Sequence, residues 1–508
     1  MTPIIEKAFK QGLWLSTFRF STQVVAWCST IVIARLLSTE DYGLMGMATV
    51  LTGYAMIFTE LGFGAAIIQR PNHTPEELSS VFWFTVIMGF IFGGCCFALA
   101  YPTALIFNEP RVIPLTQAVS IIFILNGLKI VPVNLLKKNL SFKKIGIIEM
   151  TSSVTSIAVM VVVAWLGGGA WTLLLGHISR SLIQTILYFI NQNWRPRLYF
   201  KLSVVKIYLN FGIFVILAST FLYVFERSDE FFGGIYWSAA TLGLYNFAIL
   251  LARIPNNKLM SLIKQVSYPV FSIFQNEGDK FKQFYLNICK LLAIIIFPLY
   301  IGGSLTSKEL ITVLLDEKWY PIIPIFRVLC LSQIFLALSS INDAVNNSLA
   351  RPSWPMFFHG ACALVMSISF YFAAKHGINA MLIPWITFFP ILCLCYIFVT
   401  SLKINVGLLD YLKNLAIPII GSVVMGFVVF FCGEILVSGQ ILPVNKFATL
   451  GVKITSGVLT YGGFLLVFDR SFLARSYALF KRDRVEKQGD NETRYTEGIQ
   501  THGVHSDL

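Results

Sequence analysis

Charged and amide side chains recur at helical spacing inside two long apolar stretches near the start of the chain. Arg19 and Gln23 lie four residues apart, on one face of a helix that also carries Gly12 and Ser16. An ionised side chain in a membrane-spanning helix costs about 2.5–3.5 kcal/mol unless a partner or a water-filled cavity receives it. A guanidinium beside an amide is suited to hold an anion such as a phosphate through charge-assisted hydrogen bonds.

The next apolar stretch carries a second polar stripe, formed by Thr49, Gly53 and Glu60. Two neighbouring helices with facing polar stripes predict a solvated cavity inside a helical bundle, because lipid cannot accommodate them. The alternative is that Arg19 and Glu60 pair with each other, or that their side chains extend to the membrane surface. Both interpretations are open from the sequence alone.

Further charged residues lie in later apolar stretches. Lys129, Arg180 and Arg253 add three cations, so the predicted cavity is cationic and suits phosphate or another anion. The alternative is that the side chains of Lys129 and Arg253 simply extend to the membrane surface. His177 is isolated on an apolar span, and we assign it to helix packing.

The composition identifies the elements that must position these residues as membrane helices. Of 508 residues, 56% are hydrophobic and 13% are charged, against about 25% charged in a soluble domain. Each apolar run is long enough for a helix to cross the bilayer. We predict fourteen spans, with approximate limits 13–34, 43–67, 80–106, 112–136, 146–166, 169–191, 207–227, 238–260, 284–306, 321–343, 355–374, 378–400, 414–436 and 447–468.

The loop charges predict the orientation of the spans. With a cytoplasmic N-terminus, fifteen Lys and Arg residues fall in inner loops and six in outer loops, and the basic tail adds to the inner side. The positive-inside rule therefore predicts two cytoplasmic termini. It also explains the net charge of +13 without a nucleic-acid partner. The nine cysteines lie mostly in apolar spans without metal-ligand spacing, so we expect no metal site and no cofactor.

Local signals predict helix starts and an internal repeat. Thr74-Pro75-Glu76-Glu77 is a capping box that starts the third span, and Ser38 or Thr39 can cap the second.

At a separation of about 200 residues, Gly43-Leu44 aligns with Gly243-Leu244 and Ala48 with Ala248. We therefore expect an all-α protein with two parallel six-helix halves around a central cavity, residues 1–200 and 201–403. Two further helices in 404–470 and a basic, disordered tail in 471–508 follow.

Several stretches resemble the polysaccharide-transporter branch of the multidrug/oligosaccharidyl-lipid/polysaccharide flippase superfamily. The resemblance is to its Wzx-type flippases, especially the group that contains colanic-acid exporters, and it covers nearly the whole chain as far as span fourteen. It is carried by QGLWLSTFRFSTQ, ARLLSTEDYGLMGMA and TELGFGAAIIQRP in the first half, and by ERSDEFFGGIYWSAATLGLYNFAILLARIPNNKLMSLIKQVSYPVFSIFQ and LLDEKWYPIIPIFRVLCL in the second.

The resemblance implies a flippase of the bacterial inner membrane. Such a protein moves an undecaprenyl-diphosphate-linked oligosaccharide from the cytoplasmic to the periplasmic leaflet by alternating access, for exopolysaccharide, O-antigen or capsule assembly. Its partners would be this substrate, membrane lipids, and a polysaccharide polymerase with chain-length or export proteins. Spans one, two, seven and eight would border the cavity, which places Arg19, Gln23, Glu60, Asp229 and Arg253 near the path.

Whether transport is coupled to an ion is open from the sequence, and the candidate ions are H⁺ and Na⁺. The candidate coupling residues are Glu60 and Asp229. The sequence departs from the family pattern at Arg227, which we expect to neutralise Asp229.

Other functional classes are less compatible with the sequence. A cation-coupled multidrug or small-molecule exporter of the same superfamily is the main alternative, but it would favour a lone carboxylate over several basic residues. A membrane polymerase or acyltransferase needs a large outer loop or an intramembrane His/Asp pair, and a scaffold needs no intramembrane charge. No Walker motif is present. We expect a transporter and not an enzyme.

The loop charges yield a testable topology. A membrane-impermeant thiol reagent applied to intact cells should label a cysteine placed at Glu40 or Glu317, because these positions fall in outer loops. It should not label one at Lys138 or Lys282. Labelling at Lys138 would overturn the orientation.

Overall fold

α-Helices make up nearly all of the computed structural model, which describes residues 25–60, 67–68, 70, 73–203, 213–438, 446–470 and 472 and contains no β-strand there. The first helices are α1 (Val25–Leu36), α2 (Thr39–Glu60), α3 (Pro75–Phe107), α4 (Val112–Lys138), α5 (Phe142–Trp165), α6 (Trp171–Asn191), α7 (Ile213–Tyr236) and α8 (Ala239–Phe274). They are followed by α9 (Gly278–Leu305), α10 (Ser307–Leu314), α11 (Ile322–Ser348), α12 (Ser353–Ala374), α13 (Leu382–Ile386), α14 (Phe388–Lys403), α15 (Leu408–Ser438) and α16 (Lys446–Phe468).

Ten helical segments in this described part are long and apolar enough to cross a membrane. They coincide with the predicted spans three to six and nine to fourteen; α13 and α14 count together as one. The predicted spans one, two, seven and eight correspond to α1, α2, α7 and α8. The described part of α1 is apolar but shorter than a span, and α2, α7 and α8 are not among the ten. In α7 four charged residues fall within 226–230. The count of fourteen spans and the orientation of the termini stay predictions.

The helix starts confirm the local signals. The Thr74 side chain accepts a hydrogen bond from the Glu77 backbone N–H, and the Glu77 carboxylate accepts one from the Thr74 N–H. Both halves of the predicted capping box are therefore present, with Pro75 at the first helical position. Ser38 caps α2 by accepting from the Asp41 N–H at 3.2 Å.

The closest helix contact near these helix starts is between α2 and α8. We call it the α2–α8 crossing and define it by Thr39 and Gly43 of α2 and Ala239 and Gly243 of α8. A Cβ atom on Gly43 would overlap the carbonyl oxygen of Ala239, and one on Gly243 would overlap that of Thr39. The two backbones therefore touch, and only glycine allows this approach. Thr39 corresponds to Ala239, and Gly43 corresponds to Gly243, at the predicted separation of 200 residues.

The same symmetry extends to neighbouring positions. Ser238 caps α8 by accepting from the Thr241 N–H at 3.3 Å, as Ser38 does in α2. One turn into the helices, a Cβ atom on Gly46 would overlap the side-chain amide of Asn246. Equivalent positions of the repeat thus face each other at the start of α2 and α8.

The described helices form two units. The first contains Met1–Tyr285 and Ser307–Asn405, and the second contains Leu286–Thr306 and Val406–Leu508, each over its described residues. The predicted halves, 1–200 and 201–403, lie mainly in the first unit, so their division stays a prediction. Around α2 and α4 the first unit has a core that includes Met47, Ala48 and Phe123. The second has a core around Met425 and Leu465.

The crossing predicts an unusual sensitivity to a single methyl group. Gly43→Ala and Gly243→Ala should each lower stability by about 1–3 kcal/mol, because overpacking at a backbone contact cannot relax. Thermal unfolding of the purified protein would measure this.

Gly462→Ala is the matched control, because that glycine also lies in a helix but a Cβ atom there meets nothing within 4 Å. This change should be neutral or stabilising by up to about 1 kcal/mol, since alanine favours the helix. Equal melting temperatures for Gly43→Ala and Gly462→Ala would contradict the close approach.

Candidate functional site

A cavity of about 540 Å³ lies within the first unit, beside α2, α4, α6 and α7. Along α2 it begins at Met45, two residues after Gly43 of the α2–α8 crossing. The predicted stripe on α2 contributes Thr49 and Gly53. The described residues that line it are Met45, Thr49, Thr52, Gly53, Met56, Val119, Ile122, Asn126, Lys129, His177, Arg180, Ser181, Gln184, Tyr223 and Arg227.

A hydrogen-bonded network holds Lys129 in the wall of the cavity. Its ammonium donates to Gln184 Oε1 at 3.0 Å and to Ser181 Oγ at 3.4 Å. Ser181 in turn donates to Asn126 Oδ1 at 3.3 Å. Gln184 and Ser181 are uncharged, and they orient the ammonium group in the wall of the cavity.

Arg180 adds a second cation from the same helix. Its guanidinium forms neither a hydrogen bond nor an ion pair with any residue whose side chain the structure describes. His177 lies one turn before it and also lines the cavity. This corrects our assignment of His177 to helix packing. Within the lining there is no Asp or Glu among the described side chains. The wall formed by α4 and α6 therefore presents two cationic side chains, Lys129 and Arg180, to the cavity.

The second half of the repeat contributes Tyr223 and Arg227, one turn apart on α7. The Tyr223 hydroxyl donates to the Val50 carbonyl at 2.7 Å and packs against Gly53, so it joins α7 to α2. Arg227 donates to both carboxylate oxygens of Glu230 at 2.7 Å. Glu230 is thus the partner of Arg227, and the expected neutralisation of Asp229 by Arg227 is not observed.

Asp229 points into a separate buried network. It is fully buried, and its carboxylate accepts from the Tyr245 hydroxyl at 2.9 Å and from the Glu230 N–H at 2.8 Å. The Tyr245 hydroxyl accepts from the Trp385 indole at 2.9 Å. Arg253 lies near this network and donates to the Glu226 carbonyl at 3.3 Å. Neither Asp229 nor Arg253 lines the cavity.

The sequence matches the family described as "Polysaccharide biosynthesis protein" over residues 32–324. This is more than half of the chain and includes every helix that lines the cavity. The chain belongs to this family. The resemblance to polysaccharide transporters is thereby confirmed.

Two relatives and one solved structure extend this assignment. This chain is 24% identical to the "Teichuronic acid biosynthesis protein TuaB" of Bacillus subtilis, with 92% of this chain and 96% of the relative aligned. It is 28% identical to the "Lipopolysaccharide biosynthesis protein WzxC" of Escherichia coli, over 63% and 64% of the two chains. The structure titled "Lipid II flippase MurJ, inward closed conformation" shares its fold, with a TM-score of 0.72, 14% identity, and coverage of 91% and 100%.

The ten candidate spans in the described part of the chain, together with the family match, identify a multi-pass protein of the inner membrane. Three predicted site residues are not fully described. Arg19 and Gln23 lie outside the described residues, and for Glu60 the structure gives the helix but not the side chain. Their proposed roles therefore stay predictions from the sequence.

A second polar cluster lies in the later part of the chain. The sequence analysis did not predict it. The Asp343 carboxylate accepts from the Tyr396 hydroxyl at 3.0 Å and lies 3.6 Å from His359 Nε2 and 3.8 Å from the Lys264 ammonium. These residues come from four helices, α8, α11, α12 and α14. Helical spacing within a single span cannot reveal such a cluster, because each span contributes one residue.

The Arg227–Glu230 pair predicts a measurable loss of stability. The Glu230 side chain is 5% exposed and that of Arg227 is 40% exposed, on the cavity side. Arg227→Gln should lower stability by about 2 kcal/mol, less than the loss of a fully buried pair, because Glu230 would keep a buried and unpaired charge. The double change Arg227→Gln with Glu230→Gln should recover most of it, as measured by thermal unfolding.

Lys280→Gln serves as the control for this pair. Lys280 contacts Glu277 at the same three-residue spacing, with side chains 66% and 46% exposed. Removing this exposed ion pair should therefore change stability negligibly. Equal melting temperatures for Arg227→Gln and Lys280→Gln would show that the Arg227–Glu230 pair contributes nothing to stability.

Proposed function

We propose that this protein is a flippase that moves an undecaprenyl-diphosphate-linked oligosaccharide from the cytoplasmic to the periplasmic leaflet of the inner membrane. The product would feed assembly of a surface polysaccharide. The observation that carries the proposal is the cavity wall, which brings the cationic side chains of Lys129 and Arg180 to one cavity. Membership of the polysaccharide biosynthesis family supports the class of substrate.

The proposed ligand of this wall is the diphosphate. Its oxygens are anionic acceptors, and the Lys129 ammonium and Arg180 guanidinium are donors of opposite charge. Lys129 is already oriented by Gln184 and Ser181, so little side-chain entropy would be lost on binding. A volume of about 540 Å³ is typical of a pocket for a drug-sized group, so we assign it to the diphosphate and the first sugars.

The proposed transport cycle uses the α2–α8 crossing as the outer gate. The loop charges predict that α2 and α8 begin on the periplasmic side, where the crossing joins their backbones. The substrate would enter from the cytoplasmic leaflet, with Arg19 and Gln23 on its path. The cavity would then reopen outward while the lipid tail stays in the bilayer. Coupling to H⁺ or Na⁺ through Glu60 or Asp229 is part of the proposal.

The alternative is a cation-coupled multidrug or small-molecule exporter. The cationic wall disfavours it for the many drugs that carry positive charge, since Lys129 and Arg180 would repel them at short range. A membrane enzyme would require a catalytic constellation at the cavity, whereas the described lining offers neither a carboxylate nor a cysteine beside its one histidine. Partners such as a polymerase and chain-length or export proteins belong to the flippase proposal.

The charge of the wall can be tested in bacteria that lack their own polysaccharide flippase. The wild-type chain should restore the surface polysaccharide and remove the accumulated lipid-linked glycan. Lys129→Gln and Arg180→Gln should each reduce transport about ten-fold or more, because a charge-assisted hydrogen bond contributes about 1.5–3 kcal/mol. Arg180→Gln should leave the protein level unchanged, since no described residue depends on it.

Two matched controls carry the same substitutions away from the cavity. Lys144 is exposed in the first turn of α5, and Arg351 is exposed in the connection before α12. Lys144→Gln and Arg351→Gln should transport normally. Full complementation by Lys129→Gln and Arg180→Gln together would contradict a phosphate-binding role for this wall.

A further inference from the structure

The buried side chain of Trp319 lies beside the α2–α8 crossing, although it comes from the short connection between α10 and α11. Trp319 is fully buried. Its indole N–H donates to the Ala34 carbonyl, near the end of α1, at 2.8 Å. Its ring lies 5.4 Å from the ring of Tyr42 and 4.3 Å from that of Phe247, between centroids.

The surrounding connection holds the same end of α1 through several reciprocal hydrogen bonds. The Lys318 ammonium donates to the Arg35 carbonyl at 2.7 Å. In the opposite direction, the Arg35 guanidinium donates to the Leu314 carbonyl at 3.0 Å and to the Val313 carbonyl at 3.3 Å. We call residues 313–319 the latch segment.

The aromatic contacts connect the latch segment to both helices of the crossing. Tyr42 precedes Gly43 on α2, and Phe247 follows Gly243 by about one turn on α8. The Tyr42 and Phe247 rings also touch each other, with centroids 5.0 Å apart. One side chain therefore packs against α2 and α8 where their backbones meet, and it is tied to α1 by its N–H.

Separation of α2 from α8 at the crossing would disrupt this arrangement. Trp319 cannot follow Tyr42 and Phe247 in different directions, so it would lose at least one ring contact. If α1 moves with α2, the indole N–H also loses the Ala34 carbonyl, and a buried donor without a partner is unfavourable. The closed crossing and the seated Trp319 therefore stabilise each other.

We propose that Trp319 and the latch segment belong to the outer gate together with α2 and α8. Trp319 and the latch segment hold the α2–α8 crossing closed until transport opens it. The proposal rests on the alternating-access function proposed above. Trp319 is a positioning residue that sets the balance between closed and open crossing and does not touch the substrate. Weakening it should favour the open crossing.

The test measures opening directly, by the rate at which a thiol in the cavity reacts. The full chain carries Thr49→Cys after replacement of its nine native cysteines by Ser. A membrane-impermeant maleimide is applied from the side on which a thiol at Glu40 reacts. Thr49 lines the cavity beyond the crossing, so from this side it should react only when the crossing opens.

Trp319→Phe keeps a ring but removes the N–H donor, and it should raise the labelling rate about five-fold, as expected for the loss of one hydrogen bond. Trp319→Ala removes ring and donor and should raise the rate further. If Trp319→Ala does not accumulate, the conservative Trp319→Phe still decides the question.

Trp83→Phe is the matched control. The Trp83 indole also donates to a backbone carbonyl, that of Arg197, at 2.8 Å, and it packs on Phe82 away from the crossing. A rate increase in both Trp319 variants with none in Trp83→Phe supports the latch. Wild-type rates in the Trp319 variants, or an equal increase in Trp83→Phe, overturn it.

The labelling result does not depend on the substrate. If complementation fails while Trp319→Phe still accelerates labelling, the flippase proposal fails and the latch stands. If complementation succeeds and labelling is unchanged, the latch fails alone.

Discussion

The backbone contact between α2 and α8 is the constraint on which the described first unit depends. Two helices can touch at their backbones only where neither carries a Cβ atom at the contact, and Gly43 and Gly243 meet that condition reciprocally. The contact joins the first turns of α2 and α8. The cavity begins on α2 within one turn of the crossing, at Met45.

The cavity is asymmetric in charge, although the crossing is symmetric. Two of its cations, Lys129 and Arg180, come from α4 and α6, whereas Arg227 on α7 is paired with Glu230. Tyr223 joins α7 to α2 by donating a hydrogen bond to the Val50 carbonyl. Anionic oxygens in the cavity would therefore meet cationic donors mainly on α4 and α6.

Two carboxylates in this unit accept hydrogen bonds from tyrosine hydroxyls of other helices. Asp229 accepts from Tyr245, and Asp343 accepts from Tyr396. Such bonds stabilise one arrangement of the helices, since each carboxylate loses a partner when the helices separate. The contacts of Trp319 with Tyr42 and Phe247 act in the same way on α2 and α8.

The sequence alone determined the helical membrane architecture, the Thr74 and Ser38 caps, the 200-residue alignment of Gly43 with Gly243, and the family resemblance. These follow from apolar length and local hydrogen bonding, which act over a few residues. It also singled out Lys129 and Arg180, because ionised residues in apolar spans are rare. The partner of Arg227, the exposure of His177 to the cavity and the burial of Trp319 were decided only by the tertiary structure. Each depends on how a helix is rotated against residues far away in the chain, and helical periodicity specifies a face without specifying what that face meets.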